Sequence, residues 1–223
     1  MITTVLIDID DTLIDFDKSA EGAIKQMFEK YGYPVCDNIM EIYYEISRPL
    51  WEKVGRMEMT GNELRRIRWQ LILDRLGIEG DGTSLERDYH LFLAEQWPLI
   101  DGARELVEYL SSKYTLCAAS NAPKDQQGAR LKGAGLLKYF SFIFESGEIG
   151  FDKPVLSFFK ICLKRAGNVK PQQAIMIGDN PDADIFGGKN AGMKTCFYNP
   201  TNKQNTANAD YVVSSLSEIM QIL

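Results

Sequence analysis

The chain has 223 residues, enough for one large domain or a core with a smaller insert. Apolar residues make up 45% and charged residues 25%, which supplies a core and excludes disorder as the dominant state. Acidic residues outnumber basic ones 31 to 25, a net charge of −6, and no basic patch offsets them, so a nucleic-acid polymer is excluded as a partner. No run approaches the roughly 18–20 apolar residues of a membrane span. The opening MITTVLIDIDDTL lacks the basic region and cleavage site of a signal peptide, so a cytoplasmic location is expected. The four cysteines are far apart and form no C-x-x-C pair, which points to reduced thiols. With His90 as the single histidine, a zinc cluster is disfavoured.

Residues 2–7, ITTVLI, are a β-rich apolar run ending in Asp8, as suits a strand buried on both faces. Four helices follow. The first runs from Ser19 to Tyr33 and the second from Asp37 to Val54. The third opens on the capping-box pair Thr60 and Glu63 and stops at Gly77; the fourth runs from Ser84 to Gln96. After Pro98 strands and helices alternate. Asp101 is expected to cap a helix to Ser112; a strand covers Thr115–Ala119, ending in Ser120; a helix covers Asp125–Ala134. Then come strand Phe142–Phe144, a helix with Pro154 in its first turn, and strand Ala174–Ile177 ending in Gly178–Asp179. A helix capped by Asp182, strands Thr195–Tyr198 and Tyr211–Val213 and a closing helix from Leu216 complete the chain. The polar run 199–208 reads as a loop. Alternation of this kind predicts an α/β fold: a Rossmann-like parallel sheet with helices on both faces, plus an inserted all-helical domain. The expected boundaries are 1–14 with 97–223 for the core and 15–96 for the insert.

In open α/β sheets ligands bind at the carboxyl ends of strands. There the sequence sets Asp8, Asp10, Asp11 and Thr12, then Ser120 and Asn121, then Lys153, then Asp179, Asp182 and Asp184. Each piece alone has an ordinary reading as a turn or a helix cap. Together, close carboxylates need a cation or a proton to neutralise their repulsion. Oxygen ligands without imidazole favour magnesium over zinc, and a lysine with a hydroxyl suits phosphoryl oxygens.

DIDDTL at residues 8–13, SN at 120–121, Lys153–Pro154 and GDNPDAD at 178–184 resemble, in order, the four motifs of the haloacid dehalogenase-like hydrolase superfamily. The helical insert stands where that family carries its type 1 cap. One departure is Asp11, where many members have glycine and where phosphatases related to pyrimidine nucleotidases often carry an acid. The resemblance implies a Mg2+-dependent phosphatase. Asp8 is then the nucleophile that forms an aspartyl-phosphate, and Asp10 the general acid and base. Mg2+ is implied on the Asp8 carboxylate, the Asp10 carbonyl and the Asp179 carboxylate. Ser120, the Asn121 amide, Lys153 and the Asp11 amide are implied around the phosphate, with Asp184 orienting the metal site or Lys153.

The implied partner is a small phosphorylated metabolite, with a nucleoside 5′-monophosphate favoured and sugar phosphates or phosphoglycolate as rivals. A phosphomutase is the enzymatic alternative. A haloacid dehalogenase or a non-catalytic binding module ranks lower, because Asp8, Asp10, Lys153 and Asp179 are all present. Phe16, Tyr43, Tyr44, Trp51 and Trp69 of the insert are read first as packing residues and second as base-stacking ones. Monomer and homodimer both remain open.

Overall fold

Val5, Leu6 and Ile7 have no exposed surface, and their side chains alternate between two separate apolar layers. That is the signature of a strand covered on both faces. In the computed structural model, which describes residues 1–201 and 208–223, this strand is β1 (Thr4–Ile7). It lies at the centre of a six-stranded sheet of order β3-β2-β1-β4-β5-β6, with every pairing parallel. The other strands are β2 (Thr115–Ser120), β3 (Phe142–Glu145), β4 (Ala174–Gly178), β5 (Lys194–Tyr198) and β6 (Tyr211–Val213).

Val5, Ile7, Leu116, Ala118, Ile175 and Ile177 face one layer. Helices α5 (Ala103–Lys113), α6 (Gln126–Gly133) and α10 (Leu216–Ile222) cover it through Leu106, Leu110, Leu131 and Ile219. Leu6, Cys117, Ala119 and Met176 face the opposite layer, which α8 (Leu156–Arg165) covers through Phe158, Phe159 and Cys162. Two short helices complete the core: α7 (Ser146–Ile149) directly follows β3, and α9 (Gly187–Asn190) lies against β4 and β5, where a Cβ on Gly188 would stand 3.0 Å from Met176 and Thr195.

The chain divides into two compact units, Met1–Phe16 with Trp97–Leu223, and Asp17–Gln96. The second is helical: the rest of α1 (Phe16–Tyr31), then α2 (Ile39–Gly55), α3 (Gly61–Leu76) and α4 (Gly82–Ala94). Thr60 and Glu63 form the expected capping box, and Gly77 ends α3 in the left-handed conformation at φ 67°. Tyr43 and Trp69 are buried, so packing is the use this unit makes of its central aromatics. Arg68 sits among them, over the ring of Tyr89 at 4.9 Å and paired with Glu86 at 2.7 Å.

Three local expectations need correction. Gly102, not Asp101, precedes α5, because the chain enters the helix at φ 82°, where glycine has no Cβ penalty. Pro154 follows a cis peptide bond and precedes the helix, which begins at Leu156. Asn180 replaces Asp182 as a cap: its Oδ1 accepts from the amides of Asp182 (3.0 Å) and Ala183 (2.9 Å). The loop expected over 199–208 falls largely outside the described residues. No described helix is long and apolar enough to cross a membrane.

Candidate active site

Strand order decides which side chains meet. β1 pairs with β2 on one side and β4 on the other, so the chain reverses its direction of growth at β1. A crevice at the carboxyl ends opens at such a point. Asp8 follows β1, Ser120 ends β2 and Asp179 follows β4. The Asp8 amide donates to the Ile177 carbonyl at 2.9 Å, which extends the β1–β4 ladder by one bond and fixes where the carboxylate leaves the sheet.

Lys153 is the hub. Its Nζ donates to Asp8 Oδ1 (2.8 Å), Asp184 Oδ1 (2.6 Å) and the Ala119 carbonyl (2.7 Å), which engages all three ammonium hydrogens. Its backbone is clamped as well. Asn121 Oδ1 accepts from the Lys153 amide at 2.7 Å, and Asn121 Nδ2 donates to the Lys153 carbonyl at 2.9 Å. The Asn121 side chain therefore positions the lysine loop, a role the sequence reading missed. Asp184 is fully buried, and its second oxygen accepts from the Asn180 amide at 3.1 Å. Gly178 makes this approach possible: a Cβ there would stand 2.1 Å from Asp184 Oδ2. The wide π-helical turn Pro181–Phe186 carries Asp184 inward. Such widened turns recur at functional sites.

Asp8, Asp179 and Asp184 each bring a carboxylate oxygen within 4.8 Å of the others. The donor set is all oxygen and anionic, which fits a hard divalent cation. Thr12 Oγ1 donates to Asp179 Oδ1 at 3.2 Å and orients it. Loss of solvent pushes the Asp8 carboxyl from its ordinary 3.8 up to about 7, with Lys153 opposing and Asp184 and Asp10 adding to the shift. Asp179 is raised well above its ordinary value by desolvation and then by repulsion from Asp8 and Asp184. Burial acts to lower Lys153, but attraction from Asp184 and Asp8 more than offsets it and keeps the ammonium charged. A cation among these carboxylates would relieve the repulsion that raises them.

Asp10 lies apart from the lysine hub. Its Oδ2 accepts from Gln127 Nε2 at 2.7 Å, and its Oδ1 is paired with Arg130 Nη1, both on α6. Gln127 Nε2 also donates to Ser120 Oγ at 3.0 Å. Neither α6 residue was foreseen, because a Gln and an Arg three apart on a helix normally face water. Asn180–Pro181 did carry a legible signal, an N-cap followed by proline at the first helical position.

Asp11 adopts φ 56°, the left-handed region that explains a glycine at this position. Aspartate tolerates it, and Oδ1 accepts from the Phe16 amide at 3.1 Å. The Asp11 amide, which the resemblance implies beside the phosphate, donates here to the Ile14 carbonyl at 2.8 Å and so closes its own loop.

The model of the haloacid dehalogenase-like hydrolase family matches residues 2–192. The chain is 34% identical over 222 residues to the HAD-hydrolase YfnB of Bacillus subtilis, covering 99% of this chain and 94% of the relative. A crystal structure of YfnB bound to magnesium superposes with a TM-score of 0.91 at 33% identity, covering 100% of this chain and 98% of that one. The pyrimidine 5′-nucleotidase PynA of Streptococcus pneumoniae is 31% identical, covering 98% of this chain and 94% of the relative. The pyrimidine 5′-nucleotidase YjjG of Escherichia coli is 28% identical, covering 98% and 96%.

Proposed function

The chain belongs to the haloacid dehalogenase-like hydrolase family, and from that premise we propose that it is a Mg2+-dependent phosphomonoesterase working through an aspartyl-phosphate on Asp8. The observation that carries the reading is Lys153 Nζ bonded to both Asp8 and Asp184 inside a carboxylate cluster suited to a divalent cation. Asp8 and Asp179 would hold Mg2+ with the Asp10 carbonyl, and the ion would supply positive charge for the transferring phosphoryl group.

In the first step an Asp8 carboxylate oxygen attacks phosphorus as the bond to the leaving oxygen breaks. Asp10 gives its proton to that oxygen. In the second, water attacks phosphorus, its proton passes to Asp10, and the bond to Asp8 breaks to free phosphate. Lys153 neutralises Asp8 as it approaches an anionic substrate. Ser120 offers a hydroxyl to a phosphate oxygen. The buried Asp184 keeps Lys153 aimed.

The substrate class is a small soluble phosphomonoester, with a nucleoside 5′-monophosphate preferred. Two relatives named as pyrimidine 5′-nucleotidases support that preference. The helical unit holds the chain positions of the family's inserted domain. The test is phosphate release across nucleotides, sugar phosphates and phosphoglycolate, with and without Mg2+, for the wild type and Asp8→Asn. Mg2+-dependent release that Asp8→Asn abolishes is expected. Equal rates on nucleotides and sugar phosphates would sink the narrower claim, and chloride release from a haloacid without Mg2+ would overturn the whole reading.

A further inference from the structure

Arg130 is completely buried, and a buried guanidinium requires a partner. Its Nη1 meets Asp10 Oδ1 and also donates to Gln127 Oε1 at 3.2 Å. Gln127 is equally buried, and its single amide nitrogen reaches both Asp10 Oδ2 (2.7 Å) and Ser120 Oγ (3.0 Å). An amide nitrogen carries two hydrogens, so one group ties Asp10 to Ser120 with nothing left over. The start of α6 is fixed in turn by Glu145 at the end of β3. That buried carboxylate accepts from the amides of Asp125 (2.5 Å) and Gln127 (2.6 Å). The path from sheet to Asp10 is therefore continuous: β3, Glu145, the first turn of α6, then Gln127 and Arg130.

We propose that Gln127 and Arg130 are positioning residues for Asp10, holding its carboxylate where it exchanges a proton with the leaving group and registering it against Ser120. This rests on the phosphatase reading of Asp8 and Asp10. Asp10 stands on a loop beyond β1, with its side chain about a quarter exposed, 27%. A carboxylate there has rotamer freedom of its own. Two donors from one helix remove that freedom, and misplacement of about 1 Å in a reacting group can cost on the order of 10²-fold in rate.

The test compares leaving groups. p-Nitrophenolate departs without a proton, whereas an alkoxide needs one. Gln127→Leu and Arg130→Met are assayed with Mg2+ on p-nitrophenyl phosphate and on a nucleoside 5′-monophosphate, in the wild-type and Asp10→Asn backgrounds. kcat/KM is read because it reports the first phosphoryl transfer. General acid help is worth about 10²–10⁴-fold, so each variant should lose roughly tenfold or more beyond its loss on the aryl ester. In Asp10→Asn that extra loss should vanish, because residues acting through one group are not additive. Inhibition by orthovanadate should stay near wild type. Equal losses on both esters, or losses that persist in Asp10→Asn, overturn the proposal; Gln127→Leu, nearly isosteric and uncharged, decides if Arg130→Met does not fold. A wild type inert on both esters, or an active Asp8→Asn, overturns the phosphatase reading and this proposal with it.

Discussion

Two regions of this protein bury charge, and they do so in opposite ways. In the helical unit Arg68 meets Glu86 in a bidentate pair at 2.7 and 3.2 Å, and Tyr43 accepts a third guanidinium bond at 3.1 Å. Burial pushes the Glu86 carboxyl up, but Arg68 and His90, the latter 2.6 Å away, together more than offset it and leave it below its ordinary value. Positive and negative charge balance within the cluster. At the strand ends the balance fails. Asp8, Asp10, Asp179 and Asp184 face Lys153 and Arg130, four carboxylates against two cations. The excess of two negative charges equals the charge of one divalent cation, and Asp8 and Asp179 are raised instead of lowered. A balanced buried pair serves packing and specificity; an unbalanced one is built for a ligand that brings the missing charge.

The contrast makes predictions, the largest at the rim. Asp8→Asn should cut Mg2+-dependent phosphate release by on the order of 10⁴-fold or more, as loss of a nucleophile does. The same substitution should raise the melting temperature of the Mg2+-free protein, because it removes one repelling carboxylate; a fall would contradict the imbalance. In the helical unit the sign reverses. Arg68→Met leaves Glu86 buried without its cation and should destabilise by about 3–5 kcal/mol, read by urea denaturation. A loss well under 1 kcal/mol would show that the pair is not held as described.

Metal and pH sharpen the contrast next. Mg2+ at about 100 times its dissociation constant should stabilise the wild type by about 2.7 kcal/mol. Asp179→Asn should lose most of that gain in thermal denaturation while retaining the fold. Asp8's folded value of about 7 lies above its ordinary 3.8, so the folded state binds the proton more tightly. Its contribution to stability is full below about 3.8 and is lost as pH rises through about 7. Mg2+ takes the place of the proton, so the gap between Mg2+-loaded and chelated melting temperatures should widen across that window. A gap that stays flat from acid to neutral pH would count against Asp8 as a ligand. The smallest effect belongs to Asp11→Gly. Glycine relieves the left-handed strain but also loses the Phe16 contact and gains freedom in the unfolded chain, so stability should shift by less than about 1 kcal/mol.

Much of this protein is legible in its residues. The apolar run before Asp8, the capping box at Thr60 and Glu63 and the left-handed stop at Gly77 are local, and local chemistry produced the elements they announce. Asp8, Ser120 and Asp179 could be named as candidates in advance because strand ends are where α/β sheets collect ligands, and strands announce themselves by apolar runs; Lys153, on a loop beyond β3 and α7, was legible through the motif it resembles. The places where the reading failed share a cause. Asp101 and Asp182 were plausible caps by type, but backbone conformation gave those positions to Gly102 and Asn180. The side-chain clamp from Asn121 and the Asp10 holders on α6 depend on partners 32, 117 and 120 residues away in sequence. Composition and periodicity act over a few turns of chain. Which carboxylate faces lysine and which faces arginine is decided by strand order, with β1 set between β2 and β4, and that order exists only once the sheet has formed.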